Sequence, residues 1–337
     1  MKIKRKVLLD ALKAVQPGLA SKELLEQSQS FIFTDGFVVT YNDEVAVSYP
    51  IDIDLEGAVV AKDFFGLVNK IKADEFELTI KGNELLLKGS KAKSGLRLEK
   101  KITLPIDAVG VPEEWIDLPD LFCDGINFCL FSASKNEAHA ALTCLHINGD
   151  FIESCDNHRI TRFDMGEGAG LAFPTPLLVS ASICKDIAAS KPIEYGVTKG
   201  WLHFRNENEV TFSCRYYNNI DYPNFDEFLE VSGTPFTFPA ELHEVMDRAK
   251  VMSNGERVTL ILETKELIVT SENENGWFEE SIECDCKCEP IEFDIQPEFM
   301  NSLLSFKGEI TIGNGRLFFQ NDEFIHVVKL LKPKERK

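Results

Sequence analysis

No stretch of this chain approaches the ~20 consecutive apolar residues that a membrane-spanning helix needs. Cysteine is missing before Cys123, and the nine in the chain are scattered from there on. A disulfide framework is therefore excluded, and a reducing cytoplasm is the expected setting. The basic start, Met1-Lys2-Ile3-Lys4-Arg5-Lys6, leads into no apolar core of the roughly 7–15 residues that a secretory signal carries, so none is expected. There is no G-x4-G-K-[ST] phosphate loop, so ATP use is not expected and no cofactor is implied. Positive charge is also scarce. Against 55 acidic residues stand 36 basic ones, a formal net charge of -19. Such a body cannot coat nucleic acid by bulk charge, although a local basic surface remains open to it. Apolar and charged residues, at 44% and 27%, are present in ordinary globular measure. At 337 residues the chain has room for two or three domains.

What the chain does have is repetition. Residues 78–87, 195–204 and 310–319 each read as an alternating strand, a Gly- or Asn-bearing turn and a second apolar strand, which is a β-hairpin. They lie 117 and 115 residues apart. Ahead of each hairpin the spacing predicts a helix: Phe64, Leu67, Val68 and Ile71; then Ile183 and Ile187; then Phe299, Leu303 and Phe306 behind Pro297. A further helix opens each unit, through Leu8, Leu12 and Val15, through Phe122, Ile126 and Leu130, and through Leu242, Val245 and Met246. More strands fall between the two helices of each unit. The reading is α+β: three tandem units of about 112 residues, each a helix-backed sheet, over residues 1–117, 118–232 and 233–337. The connectors are Pro- and Gly-bearing, at residues 112–119 and 231–235. Tandem units of this kind build a curved body. Identical chains meeting head to tail can close such a body into a ring.

This pattern resembles the bacterial DNA sliding clamp, the beta subunit of DNA polymerase III, over essentially the whole chain. The residues that carry the resemblance are Cys155-Asp-Asn-His-Arg-Ile160, Asp221-Tyr-Pro-Asn-Phe-Asp-Glu-Phe-Leu229, Arg248-Ala-Lys-Val-Met-Ser-Asn254 and the final strand Ile325-His-Val-Val-Lys-Leu-Leu331. The resemblance implies the clamp fold, closed head to tail as a homodimer into a six-domain ring. It implies a processivity factor without enzymatic activity that encircles duplex DNA irrespective of sequence. Such a ring tethers DNA polymerase and clamp loader through short peptides, at the replication fork in the cytoplasm. The distance from the family pattern suggests a phage or mobile-element version. The alternative is a clamp-fold module that does not close and competes for clamp partners as a decoy.

Charge is distributed in keeping with that model. The six expected helical segments sum to +6, which leaves -25 for the rest of the chain, and most of the excess lies in residues 2–22. Lys4, Arg5, Lys6, Lys13, Lys70, Lys72, Lys185, Lys191, Arg248 and Lys250 are the expected DNA-facing residues. Carried over one by one, the peptide pocket between the second and third units would use His158, Arg159, Ile160, Pro223, Phe228, Val327, Val328 and Lys329. Glu227 and Lys329 depart from the family, which often has Arg and usually Met there, and Lys329 points to a peptide with an acidic residue. Ring closure would use Val251 and Met252 as apolar contacts, with Glu279 and Glu280 opposite Lys100 and Lys101. Two other readings compete. Asp156 beside His158 could be an acid–base pair, or simply a hairpin turn like that at residues 42–44. Cys284, Cys286 and Cys288 could hold a metal or be plain strand thiols, and no second ligand pair lies near them in sequence.

Overall fold

The computed structural model describes residues 1–89, 91–166, 171, 177–233, 235–285 and 289–332. Two compact units emerge, Met1–Asn127 with Leu171–Asn219, and Phe128–Gly170 with Ile220–Lys337.

In the first unit an antiparallel sheet runs in the order Gly57–Val60, Ser30–Thr34, Phe37–Tyr41, Val45–Pro50, Thr211–Arg215, Trp201–Arg205, Glu194–Thr198, Ile116–Asp117. A smaller sheet has the order Lys2–Lys4, Glu75–Lys81, Glu84–Lys88, Lys93–Arg97. Helix α1 (Arg5–Ala14) buries Leu8, Leu9, Ala11 and Leu12, and Gln16-Pro17-Gly18 ends it. Helix α2 (Ala61–Lys70) buries Ala61, Phe64 and Val68, spaced by three and four so that one stripe faces the sheet. Phe64 meets Phe31 and Phe33 edge to face, at 6.4 and 5.9 Å between ring centroids. Helix α3 (Phe122–Leu130) stacks Phe122 on Phe204 at 5.7 Å. Helix α4 (Ala181–Ser190) buries Ile183, Cys184, Ile187 and Ala188 and stops at Lys191, whose φ of 51° lies in the left-handed region.

In the second unit a sheet runs Cys144–Asn148, Phe151–Cys155, Arg159–Asp164, Phe324–Lys329, Arg316–Gln320, Glu309–Gly313. Its companion has the order Gly276–Glu283, Glu266–Asn273, Val258–Leu262, Ile291–Ile295. Helix α5 (Asp226–Leu229) is a single turn, α6 (Leu242–Ser253) buries Val245, Met246 and Ala249, and α7 (Pro297–Leu304) begins on its proline. Phe128 is a core anchor, with ring centroids of Phe163, Phe306 and Phe324 at 5.3, 5.3 and 4.8 Å.

The structural repeat is finer than the one legible in the sequence. Helices α1, α2, α3, α4, α6 and α7, which start at residues 5, 61, 122, 181, 242 and 297, are each followed by a three-strand meander. The third strands of these meanders pair with one another: Val45–Pro50 with Thr211–Arg215, and Arg159–Asp164 with Phe324–Lys329. These seams join residues of successive sequence repeats into one sheet, so the compact units cut across the expected 118–232 repeat. Two third strands, Lys93–Arg97 and Gly276–Glu283, are left at sheet edges.

Candidate functional site

The turn at residues 156–158 is built by its own side chain. Asp156 Oδ1 accepts the backbone N–H of His158 and of Arg159, both at 3.1 Å, and Asn157 takes a φ of 71°. Asn42 makes the same bonds to Glu44 and Val45, and Asn321 to Glu323 and Phe324. The other Asp156 oxygen accepts from Arg159 Nε at 2.9 Å. Its carboxylate is thus committed to the turn and to Arg159, and the structure gives His158 no hydrogen bond with it through the ring. The Asp156–His158 arrangement is that of a hairpin turn.

This turn forms one wall of an apolar pocket of about 570 Å³ within the second unit. Of the eight residues expected at a pocket here, His158, Arg159, Ile160, Phe228, Val327 and Lys329 line it. Pro223 and Val328 do not. Val328 is fully buried on the opposite face of its strand, because neighbouring strand residues alternate. Pro223 lies exposed on the connector, while Phe225 takes the inward place. The floor is a cluster of Leu142, Cys155, Ile160, Phe225, Leu229 and Val327. Burial pushes the Cys155 thiol up to about 11, so it lines the pocket as an apolar group rather than a nucleophile.

Several contributors were invisible in the sequence because they arrive from distant segments. Arg316 donates to the carbonyls of Glu227 and Phe228, and its guanidinium lies 4.7 Å from the centre of the Phe228 ring. Lys332 closes the far end, where its carbonyl accepts from Arg257 at 2.8 Å. Helix α5 is fastened by Arg162, which bonds Asp226 at 2.8 Å and the buried Glu153 at 2.9 Å. That fastening sends Phe225 and Leu229 into the floor and leaves Phe228 46% exposed at the rim. Arg159 spreads over Phe299 at 4.7 Å. Among the described residues the charged side chains of the lining are Arg159, Arg316, Lys329 and Lys332, all cationic, with an imidazole at His158.

Of the residues expected to face DNA, Lys4, Lys6, Lys13, Lys70, Lys72, Lys185, Lys191 and Lys250 are exposed. Arg5 is not free. Its Nε and Nη2 donate to the carbonyls of Val68 and Asn69, at 3.0 and 2.5 Å, and satisfy the open end of α2. Arg248 is likewise spent, in a bidentate pair with Glu280 at 2.7 and 2.9 Å. Each partner holds the other in its charged form: Glu280 is shifted down by the hydrogen bond from Arg248, and Arg248 is shifted up. Glu280 is therefore already paired inside the unit, whereas Glu279 stands exposed on the other face of the edge strand. Val251 is 71% exposed, and Met252 is half-buried against Gly276. Lys100 and Lys101 are exposed but lie beyond the edge strand Lys93–Arg97, whose own cations are Lys93 and Arg97. Cys286 and Cys288 lie outside the described residues. Among the described residues no group of three or more His, Cys, Asp or Glu could hold a metal ion, and no helix is long and apolar enough to cross a membrane.

No family model matches this sequence, and no curated protein does. Solved structures match over almost the full length. A putative DNA polymerase III beta subunit from Eubacterium rectale has a TM-score of 0.85 at 17% identity, with 98% of each chain covered. The DNA polymerase sliding clamp from Bacillus subtilis has a TM-score of 0.82 at 16% identity, and a DnaN sliding clamp from Pseudomonas aeruginosa bound to griselimycin has 0.85 at 14%, each with 99% of both chains covered. The chain shares the fold of these clamps.

Proposed function

We propose that this protein is a DNA sliding clamp without enzymatic activity, acting in the cytoplasm as a head-to-tail homodimer around duplex DNA. One observation carries the reading. Third strands join third strands at two seams inside the chain, and among the described residues two third strands keep one side unpaired at a sheet edge. One of these, Lys93–Arg97, bears cations at both ends; the other, Gly276–Glu283, bears Glu279, Glu280 and Glu283. The same seam made between two chains would use both edges and match their charge. Val251, exposed beside the acidic edge, supplies apolar contact that ion pairs alone do not give. The exposed lysines of the helices would meet phosphates without reading bases.

The pocket of the second unit would receive a short peptide from polymerase or loader. Apolar side chains would fill the floor, and acidic ones would face Lys329, Arg316 and Lys332. The near-neutral helices of the second and third repeats, together with Arg248 already paired, favour a second reading, a decoy that does not close. Light scattering behind a sizing column separates the two. About 76 kDa, twice 37.9 kDa, persisting on dilution is expected for the ring. A mass near 38 kDa at every concentration would leave the decoy.

A further inference from the structure

The first unit carries a second apolar groove, on the face of its large sheet where the connector after residue 102 only partly covers it. Leu104, Val109 and the half-buried Ile106 seal one half against Tyr41, Ala46 and Trp201. The other half stays open as a cavity of about 620 Å³, floored by Val39, Ala46, Ser48 and His203. Its walls are Phe37, Val111 and Trp115. Val111 is 80% exposed and Phe37 39%, which is unusual for large apolar side chains lining one cleft. The wall is fixed rather than loose. Pro112 sits on Gly196, where an added Cβ would meet the proline ring at 2.5 Å, and that seat presents Val111 outward.

The charges around this groove have the opposite sign to those of the pocket in the second unit. Asp35, Asp107 and Glu209 line it, and no ion pair engages them among the described residues. Among the described residues its one cation, Arg205, lies over Trp115 at 4.1 Å and is matched by Glu194 at 2.7 Å. His203 adds no charge at neutral pH. It is buried between Thr198 and Ser213 at 2.8 Å each, and burial lowers it to about 4. An acidic rim repels phosphate, so nucleic acid does not fit.

We infer that this groove docks a segment of a partner protein in which apolar side chains are flanked by lysine or arginine. The chain would then carry two ports that select partners by sign, this one for basic segments and the other for acidic ones. The inference does not depend on ring closure.

The test is fluorescence anisotropy with a short fluorescein-labelled peptide, a central Leu-Phe pair flanked by lysines, and its glutamate-flanked counterpart as competitor. The lysine peptide should bind, more weakly as salt rises, and an excess of the glutamate peptide should not displace it. Asp107→Lys with Glu209→Lys, both at exposed positions, should weaken it about tenfold or more. Val111→Lys, on a side chain that supports no core, should do the same. Absence of binding by the lysine peptide, displacement by the glutamate peptide, or binding unchanged in both variants would each overturn the assignment. A monomeric mass would sink the ring and leave this result standing.

Discussion

Two histidines show how single side chains tie this fold to pH. His203 and His326 are both buried and both shifted down by burial, to about 4 and about 3. His326 bonds Thr161 Oγ1 at 2.8 Å through Nδ1 and, among the described residues, finds no partner for Nε2. The unfolded chain takes up these protons near pH 6.5, whereas the folded chain refuses them until well below. Stability is therefore complete above about pH 6.5 and declines as pH falls toward 4, by on the order of 3 kcal/mol for His203 alone. Urea melts across that window should show the decline, and His203→Gln should flatten part of it. At the pocket rim, Phe228→Ala should leave the melting temperature nearly unchanged, because the ring is already 46% exposed. Titration of an acidic, Leu-Phe-bearing peptide should nonetheless show a loss of about tenfold or more in affinity.

Elements were legible in proportion to how locally they are specified. Hairpins and helices announce themselves through alternation and three–four spacing, and all six expected helices are present as α1–α4, α6 and α7. The half-repeat was not legible, because each copy keeps the order of a helix and three strands without keeping residues. Val328 was expected beside Val327 and Lys329, but neighbouring residues of a strand point to opposite faces, and only Val327 and Lys329 reach the pocket. Arg316 and Lys332 line the pocket, the second held by Arg257, through contacts that no local pattern records. The single turn of α5 is held by such contacts, from Arg162 to Asp226 and from Arg316 to the carbonyls of Glu227 and Phe228. Asp226→Ala should release it from Arg162 and weaken peptide capture several-fold, while circular dichroism stays the same. In the first unit, Gly196→Ala should press on Pro112 and cost about 1–3 kcal/mol, read as a lower midpoint in urea.

At the scale of the whole molecule, the charge balance and the unpaired edges make the predictions. Val251→Asp is the cleanest probe of closure, since the side chain is 71% exposed and its replacement leaves the chain's own core untouched. A folded chain of half the wild-type mass is expected, measured by light scattering. Dimers of this variant at every concentration would remove Val251 from the interface. Exchanging charge along the acidic edge, Glu279→Lys with Glu283→Lys, should raise the dissociation constant and reverse its response to salt. A chain with one basic and one acidic edge is also a monomer in the polymer chemist's sense, bifunctional and self-complementary. In the proposed dimer nothing in the head-to-tail bond itself fixes the number of links, so stopping at two would fall to the geometry between the two chains.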